Sequence, residues 1–424
     1  MIQKRKKQIK FIILIAIIIG LIAGGTFWIL ANHREETKTE EITEQIDFSS
    51  KRLIVTTDSE LKETYNAKSV NKTYSGKYVV KYETETDTKN AYKNLKNDIN
   101  IQEVYVDKNI KINTQTIEPS TILYSSVNQI DGSNVESWGT YAMGLNETQT
   151  KINSNSSKEN VVVAIIDSGF DLGHSFMQQQ NLASRIDERY INVTDNSKNM
   201  SDKYSVGISG IEGHGTGVGS VILDATPNKV KLLPIKVQDN NGEMSFEYIL
   251  AAMRYAIDNS IDVINISLVW DNQEFSSFTN NMQQQIEDIF QEAINNNITI
   301  IAAAGNGKNG KRIDMKEVCP ATYSGVFSVG ALETNLIKYN SNDKISETIY
   351  QQAQNSGADN LSYTQFSNYG EMLDFSAPGK DILCMIPRAS QSGEGKLLAR
   401  NFMCFALYSC NSWNYKKLQQ RIDK

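Results

Sequence analysis

The chain has 424 residues, a length that allows about two or three domains at roughly 150 residues each. Hydrophobic residues make up 40% and charged residues 22%, which is enough apolar material for a sizeable core and excludes wholesale disorder. The net charge of −6, without a long basic block, argues against nucleic acid as a partner. Four cysteines are too few for a disulfide scaffold, and only His33, His174 and His214 are candidates for an imidazole base.

The first 32 residues predict a membrane anchor. Basic residues between Lys4 and Lys10 precede an uncharged run, and its apolar part, residues 11–31, reaches the ~20 helical residues that cross a bilayer. Basic residues before the run and acidic ones after it predict that the rest of the chain lies outside the cytoplasm. A cleaved signal peptide is the alternative, although the apolar cores of such peptides are usually about 7 to 15 residues long. Residues 1–32 therefore indicate an extracytoplasmic protein, either membrane-anchored or secreted.

A polar, acidic linker over residues 33–50 leads to a small α+β unit predicted over residues 51–113. Its apolar alternation predicts three strands and one helix, which are Lys51–Thr56, Tyr78–Tyr82 and Val104–Val106 as strands and Asp87–Leu95 as the helix. Residues 114–157 are rich in serine, asparagine, threonine and glycine, so we expect a connector there.

From residue 158 onward, continuous apolar runs alternate with helical periodicity. The runs predict strands that are buried on both faces, and they are Val161–Ile166, Lys231–Val237, Asp262–Leu268, Ile298–Ala304 and Val326–Ala331. Apolar residues at helical spacing lie between them, around Met253 and around Phe290. Strands that alternate with helices in this way predict a parallel sheet with helices on both sides.

Three polar residues adjoin these elements. Asp167 directly follows one predicted strand, Asn306 follows another, and His214 lies between two glycines ahead of a helix-compatible run. Taken singly, each has an ordinary interpretation as a turn or loop residue. Ligand sites of open parallel sheets lie beyond the carboxyl ends of the strands, however, so we expect the three to share one edge of the sheet.

An aspartate, a histidine and an asparagine at one edge suit nucleophilic acyl transfer. An imidazole can take the proton of a hydroxyl, while a buried carboxylate holds the imidazole in the required tautomer. An asparagine amide can donate a hydrogen bond to the developing oxyanion. The glycines beside His214 let a substrate backbone approach closely.

Five motifs occur in a diagnostic order: AIIDSGFDLGH, GHGTGVGSVI, DVINISL, AAAGNG and DFSAPG. Over about residues 120–398 the chain thereby resembles the subtilisin-like serine proteases. The resemblance implies an α/β fold with a doubly wound parallel sheet in a catalytic domain over residues 158–398, incomplete at its C-terminus. It also implies hydrolysis of peptide bonds in an extended peptide or protein substrate.

The resemblance also implies roles for individual residues. Asp167 would be the orienting carboxylate, His214 the general base and Asn306 the oxyanion donor, whereas His174 resembles a structural histidine of the first motif. Residues that would bind the substrate backbone are Ser267, Leu268, Ala303 and Gly305. Residues 51–113 resemble the inhibitory propeptide of the family, which covers the cleft before it is removed. Calcium sites are common in the family, but the sequence offers no ligand set for one, and no other cofactor is expected.

The chain departs from the family pattern at two places. Gly217-Val218-Gly219 replaces the usual His-Val-Ala, and we expect the extra glycines to weaken that helix. More importantly, the nucleophile motif Gly-Thr-Ser-x-Ala-x-Pro is missing after DFSAPG. Gly393–Leu398 still resembles the approach to it, but none of the later serines has the required neighbours.

Residues 399–424 look like an aberrant, frameshifted tail. If the codons for Arg400 to Leu407 (RNFMCFAL) are read one nucleotide forward, they can spell Gly-Thr-Ser-Cys-Ala-x-Pro. We therefore expect a truncated, inactive endopeptidase. The alternatives are a pseudoprotease that binds peptides or inhibits a relative, and a plain α/β binding domain with coincidental motifs.

Overall fold

The computed structural model describes residues 46–110, parts of residues 139–153, and residues 160–400 with gaps, of which the longest are 272–279, 335–360 and 388–396. The predicted anchor, most of the predicted connector and the tail beyond residue 400 lie outside the described residues. Within the described part, no helix is long and apolar enough to cross a membrane. The chain divides into two compact units, residues 1–47 and 48–424, and every element named below belongs to the second.

Residues 48–110 form an antiparallel sheet with one helix, and we call this region the N-terminal module. Its elements are β1 (Arg52–Thr56), β2 (Ser69–Lys72), β3 (Tyr78–Lys81), α1 (Glu85–Lys96) and β4 (Glu103–Val106). The strand order is β2-β3-β1-β4. Strand β2 was not predicted because its sequence, SVNK, has only one apolar residue.

The alternation along β1 explains how the module is covered on both faces. Leu53 and Val55 join a small apolar cluster that includes Leu95 of α1. Ile54, which points to the opposite face, belongs to the large apolar core of the chain, as does Val79 of β3. One face of the module is therefore covered by its own helix, and the other packs on the remainder of unit 48–424.

Residues 160–400, which we call the body, are organised around an eight-stranded sheet. Its strands are β5 (Val161–Asp167), β6 (Ile191–Asn192), β9 (Val230–Lys236), β10 (Val263–Ile266), β12 (Thr299–Ala303), β14 (Val326–Thr334), β15 (Leu361–Tyr363) and β16 (Phe375–Pro378). The order is β15-β14-β12-β10-β5-β9-β6, and β16 also pairs with β14. All pairs are parallel except that of β14 with β15. The predicted α/β fold with a parallel sheet is confirmed.

Within the described part of the body, three α-helices accompany the sheet, and they are α2 (His214–Ala225), α3 (Phe246–Asp258) and α4 (Asn280–Asn295). Short strands lie outside the sheet, namely β7 (Ser205–Val206), β8 (Ile211–Glu212), β11 (Trp270–Asp271) and β13 (Val318–Cys319). A hairpin of β17 (Ile382–Met385) and β18 (Leu397–Arg400) is the last described feature. It contacts α2, where the Met385 N–H donates to Ser220 Oγ at 2.9 Å.

Candidate active site

The structure brings Asp167 and His214 into direct contact. Asp167 ends β5 at the middle of the sheet, and His214 is the first residue of α2. The imidazole Nδ1 lies 2.8 Å from one carboxylate oxygen of Asp167 and 3.0 Å from the other. Both residues are at most 3% exposed. This geometry holds the imidazole with Nδ1 against the carboxylate, which leaves Nε2 for chemistry.

Glycines allow β5 and α2 to approach this closely. A Cβ on Gly215 would lie 2.2 Å from the carbonyl oxygen of Gly169 and 3.0 Å from the Cβ of Asp167. A Cβ on Gly219 would lie 2.6 Å from the Phe170 ring. Gly219 is one of the residues that depart from the family pattern. Glycine lowers the intrinsic helix propensity of α2 at this position, but it lets the helix pack closely on Phe170.

A second set of polar residues surrounds the pair. The Ser168 N–H donates to Asp167 Oδ1 at 2.7 Å, and Ser168 Oγ lies 2.6 Å from Asp202 Oδ1. Asp202 also accepts from the N–H and the hydroxyl of Thr216, in the first turn of α2. Sequence reasoning did not identify Ser168 or Asp202, because no motif places Asp202 near the other residues.

Lys236 supplies a buried positive charge next to this network. It ends β9 in register with Asp167, is 1% exposed, and donates to the carbonyl oxygen of Ser168. Burial lowers the pKa of the Lys236 ammonium to about 8, although several carboxylates oppose that shift, led by that of Asp202. Burial also raises the pKa of Asp202, against hydrogen bonds from Ser168 and Thr216 and the charge of Lys236.

Asn306 lies in the loop after β12, two strands from β5 in the sheet. Gly305, just before it, has a positive φ of 91°, and a Cβ there would lie 2.7 Å from Asn368 Nδ2. The Asn368 side chain donates to the carbonyl oxygen of Ala304 at 2.8 Å, and its N–H donates to that of Gly305 at 3.0 Å. Asn368, which sequence reasoning missed, therefore braces the loop that presents Asn306.

The residues predicted to bind substrate lie at the same edge. Ser267 and Leu268 directly follow β10, the neighbour of β5, and Ala303 ends β12, the next strand along, so all three lie at or beyond carboxyl ends of parallel strands. Leu268 is fully buried in the structure. The Ser267 hydroxyl accepts a hydrogen bond from Asn265 Nδ2 at 2.9 Å.

His174 makes a local contact within its own segment. It is fully buried, and its N–H donates to the carbonyl oxygen of Asp171 at 3.2 Å. Among the residues that the structure describes, no group of histidine, cysteine and carboxylate side chains could hold a metal ion. A cavity of about 470 Å³ adjoins the network, lined by residues 170–173, residues 200–202 and Pro387.

Comparisons with known proteins agree with this geometry. Residues 158–408, more than half of the chain, match the model of the Subtilase family. The chain is 25% identical over 276 residues to the major intracellular serine protease of Bacillus subtilis (strain 168), covering 63% of this chain and 73% of that protein. It is 26% identical over 236 residues to an intracellular serine protease of Paenibacillus polymyxa, covering 54% and 59%. The crystal structure of a cold adapted subtilisin-like serine proteinase aligns with a TM-score of 0.42 at 19% identity, covering 62% and 79%. The chain belongs to the subtilase family of serine peptidases.

Proposed function

We propose that the chain is an extracytoplasmic serine endopeptidase by descent, inactive in the form of this sequence because its nucleophile motif is missing. The observation that supports the catalytic assignment is the contact of His214 Nδ1 with both carboxylate oxygens of Asp167, at 2.8 and 3.0 Å. In this arrangement His214 Nε2 is the base that would accept the proton of a serine hydroxyl. Asp167 would stabilise the imidazolium, and the Asn306 amide would donate to the tetrahedral oxyanion.

The nucleophile belongs in the segment that follows β18. That strand ends at Arg400, and residues 400–407 are those whose shifted reading frame can spell Gly-Thr-Ser-Cys-Ala-x-Pro. The motif would therefore start where the hairpin ends. This position supports a frameshift over an unrelated tail, because an unrelated tail has no reason to encode the motif at that point.

The N-terminal module is proposed to be the inhibitory propeptide. Lys77 of the module donates to Gln285 of α4 at 2.7 Å, and Thr73 Oγ1 donates at 3.0 Å to the buried carboxylate of Glu247 in α3. The Ile110 N–H donates to the carbonyl oxygen of Met244 at 3.1 Å. The chain therefore leaves the module through a single antiparallel bridge to the body, between Asn109 and Ser245, which resembles the first step of pairing by an extended peptide.

Residues 11–31 are proposed to anchor the protein in a membrane, with the module and the body outside the cytoplasm. The basic residues before this segment and the acidic ones after it support that orientation. Expression of the full chain followed by protease treatment of intact cells tests it. Protection of the body from added protease would contradict the orientation.

A fluorophosphonate probe tests the catalytic assignment. The chain as printed should remain unlabelled, whereas a chain with Gly-Thr-Ser restored at the shifted codons should be labelled at the new serine and cleave peptides. His214→Ala in the restored chain should lower kcat by about 10⁴-fold or more, and His174→Ala is the matched control. Labelling of the printed chain would refute the proposed inactivity, and survival of peptidase activity in His214→Ala would refute the assignment.

A further inference from the structure

The carboxylate of Asp202 connects the two elements that bring Asp167 and His214 together. It is 3% exposed and accepts three hydrogen bonds. Ser168 Oγ, at the end of β5, is 2.6 Å from Oδ1. The N–H and the hydroxyl of Thr216, in α2, are 2.7 and 2.5 Å from Oδ2. One carboxylate thus holds the strand that ends in the aspartate and the helix that begins with the histidine.

The hydrogen bonds around Asp202 identify it as an ionised acceptor. Thr216 Oγ1 accepts from the Asp171 N–H at 3.0 Å, and Ser168 Oγ accepts from the Gly215 N–H at 2.9 Å. Both hydroxyls therefore have their own protons available to donate to Asp202. The backbone N–H of Thr216 can only donate. Three donors directed at one carboxyl group favour its charged form.

The proton of Ser168 has two carboxylates within reach. Ser168 Oγ lies 3.1 Å from Asp167 Oδ1 but 2.6 Å from Asp202 Oδ1. A hydroxyl has a single proton, so the shorter contact directs it to Asp202. Asp167 is thereby left to accept from His214 and from the backbone N–H of Ser168. Without the charge of Asp202, the hydroxyl would turn to Asp167 and compete with the imidazole for it.

Burial of the Asp202 carboxylate beside Asp167 and His214 costs desolvation energy. A contact that only held the strand and the helix together could be made without a buried charge. Lys236, directly beside Asp167 on β9, supplies the compensating charge and donates to the carbonyl oxygen of Ser168. The charged groups around Lys236 are Asp167 on β5 together with Asp195, Asp202 and Asp239 from loops. Of these loop residues, Asp202 alone is hydrogen-bonded to both Ser168 and Thr216 in the part of the chain that the structure describes.

We propose that Asp202 is a positioning residue for the Asp167–His214 pair. Through Ser168 and Thr216 it fixes the end of β5 against the first turn of α2, and its negative charge keeps the Ser168 proton away from Asp167. This inference rests on the proposed function, since it assigns His214 the role of base. Loss of Asp202 would make His214 less basic, because a negative charge disappears and Asp167 gains a competing donor.

The imidazole titration of His214 in the full-length chain tests this proposal without any need for activity. The chain contains only three histidines, so ¹³C,¹⁵N-histidine labelling gives a simple spectrum in which His214→Gln identifies the signal. Asp202→Asn should lower the titration midpoint of His214, because the imidazolium loses a nearby negative charge. Asp195→Asn is the matched control. Asp195 is also near Lys236, but its carboxylate accepts a hydrogen bond from the Ser197 N–H, so this variant should move the His214 midpoint far less.

Ser168→Ala keeps both carboxylates, removes the hydroxyl between them, and provides the test if Asp202→Asn does not fold. The downfield Nδ1 proton of His214 should shift in this variant, because the Gly215 N–H at the start of α2 loses its acceptor. An unchanged midpoint in folded Asp202→Asn, or an unchanged Nδ1 proton in Ser168→Ala, would overturn the proposal. Because these signals come from a chain without a nucleophile, failure of the restored chain to cleave peptides would refute the proposed function separately.

Discussion

The N-terminal module and the body bury their residues in different ways. The body is built on a central sheet whose inner strands are apolar on both faces, as in Val163 to Ile166 of β5. The module has a small cluster of its own, it packs Ile54 and Val79 into the large apolar core, and it also contacts the loop before α3 through charged groups. Lys81 pairs there with Asp239 and Glu243, and Arg52 lies 3.2 Å from Glu243.

This difference bears on which contact can be undone. Apolar burial is lost completely when a strand leaves the sheet of the body. Separation of an ion pair returns both charges to water, and their hydration offsets most of the lost attraction. The charged part of the contact therefore fits the proposed propeptide role, in which the module would bind during folding and later leave, whereas the apolar core suits a framework that holds the site.

The largest expected effect is on the cores themselves. Ile264→Ala, in fully buried β10, should lower the free energy of unfolding of the body by about 2 to 5 kcal/mol, because it leaves a cavity in the sheet. Leu95→Ala should destabilise the module by a similar mechanism. Trp270 is buried in the body and residues 51–113 contain no tryptophan, so urea unfolding followed by tryptophan fluorescence separates the two. Ile99→Ala, at a 98% exposed position, is the control. Equal shifts of the fluorescence midpoint in Ile264→Ala and Leu95→Ala would show that module and body unfold as one.

The charged contact gives the next largest effect. Lys81→Met leaves Asp239 and Glu243 without this cation, so the module should be destabilised on the body by about 2 kcal/mol or more. Lys68→Met is matched to it, because Lys68 pairs with Glu83 at the exposed surface of the module, where solvent screens the pair, and this change should have little effect. The rate of limited proteolysis of the module measures the destabilisation in both variants. Equal protection of the two variants would mean that the charged contact does not hold the module.

Lys236 predicts a pH dependence that the module should not share. Its pKa in the folded protein is lowered to about 8, so above that pH the folded chain has released a proton that the unfolded chain still binds. The free energy of unfolding should therefore rise between about pH 8 and 10, by up to roughly 1.4 kcal/mol per pH unit. This gain is lost as the pH falls from about 10 to about 8, and below about 8 both states bind the proton. Urea unfolding of the full chain and of Lys236→Met at both pH values isolates the contribution. If the free energies of unfolding of the full chain and of Lys236→Met differ by the same amount at about pH 8 and about pH 10, the lowered pKa of Lys236 is contradicted.

Helix caps give the smallest effects and one further comparison. The Ser245 hydroxyl accepts from the Tyr248 N–H at the start of α3, and the Thr84 hydroxyl accepts from the Asp87 N–H at the start of α1. Each change to alanine should cost about 1 kcal/mol, in the body for Ser245 and in the module for Thr84. Thermal unfolding measured by circular dichroism and tryptophan fluorescence together locates each loss. A Thr84→Ala variant that lowers the fluorescence midpoint as much as Ser245→Ala does would remove the distinction.

The sequence predicted most of the framework because buried strands of a parallel sheet are long apolar runs. The run at Lys231 to Val237 became β9, within one residue at each end. It did not predict β2, whose half-buried polar residues pair only because β3 lies beside them. It also did not predict β16, a short strand at the sheet edge that takes its partner from β14.

For the candidate site, the sequence by itself predicted Asp167, His214 and Asn306, because each follows or precedes an element with a strong pattern, and the structure places the first two in contact. Tertiary structure alone decided that Asp202 and Lys236 surround the pair. Asp202 has no periodicity or motif around it, and Lys236 ends an ordinary strand, so their nearness to Asp167 depends on parallel pairing and on a loop that returns to α2. Local patterns record how a segment meets water or the core, but contacts between distant segments exist only once the sheet has formed.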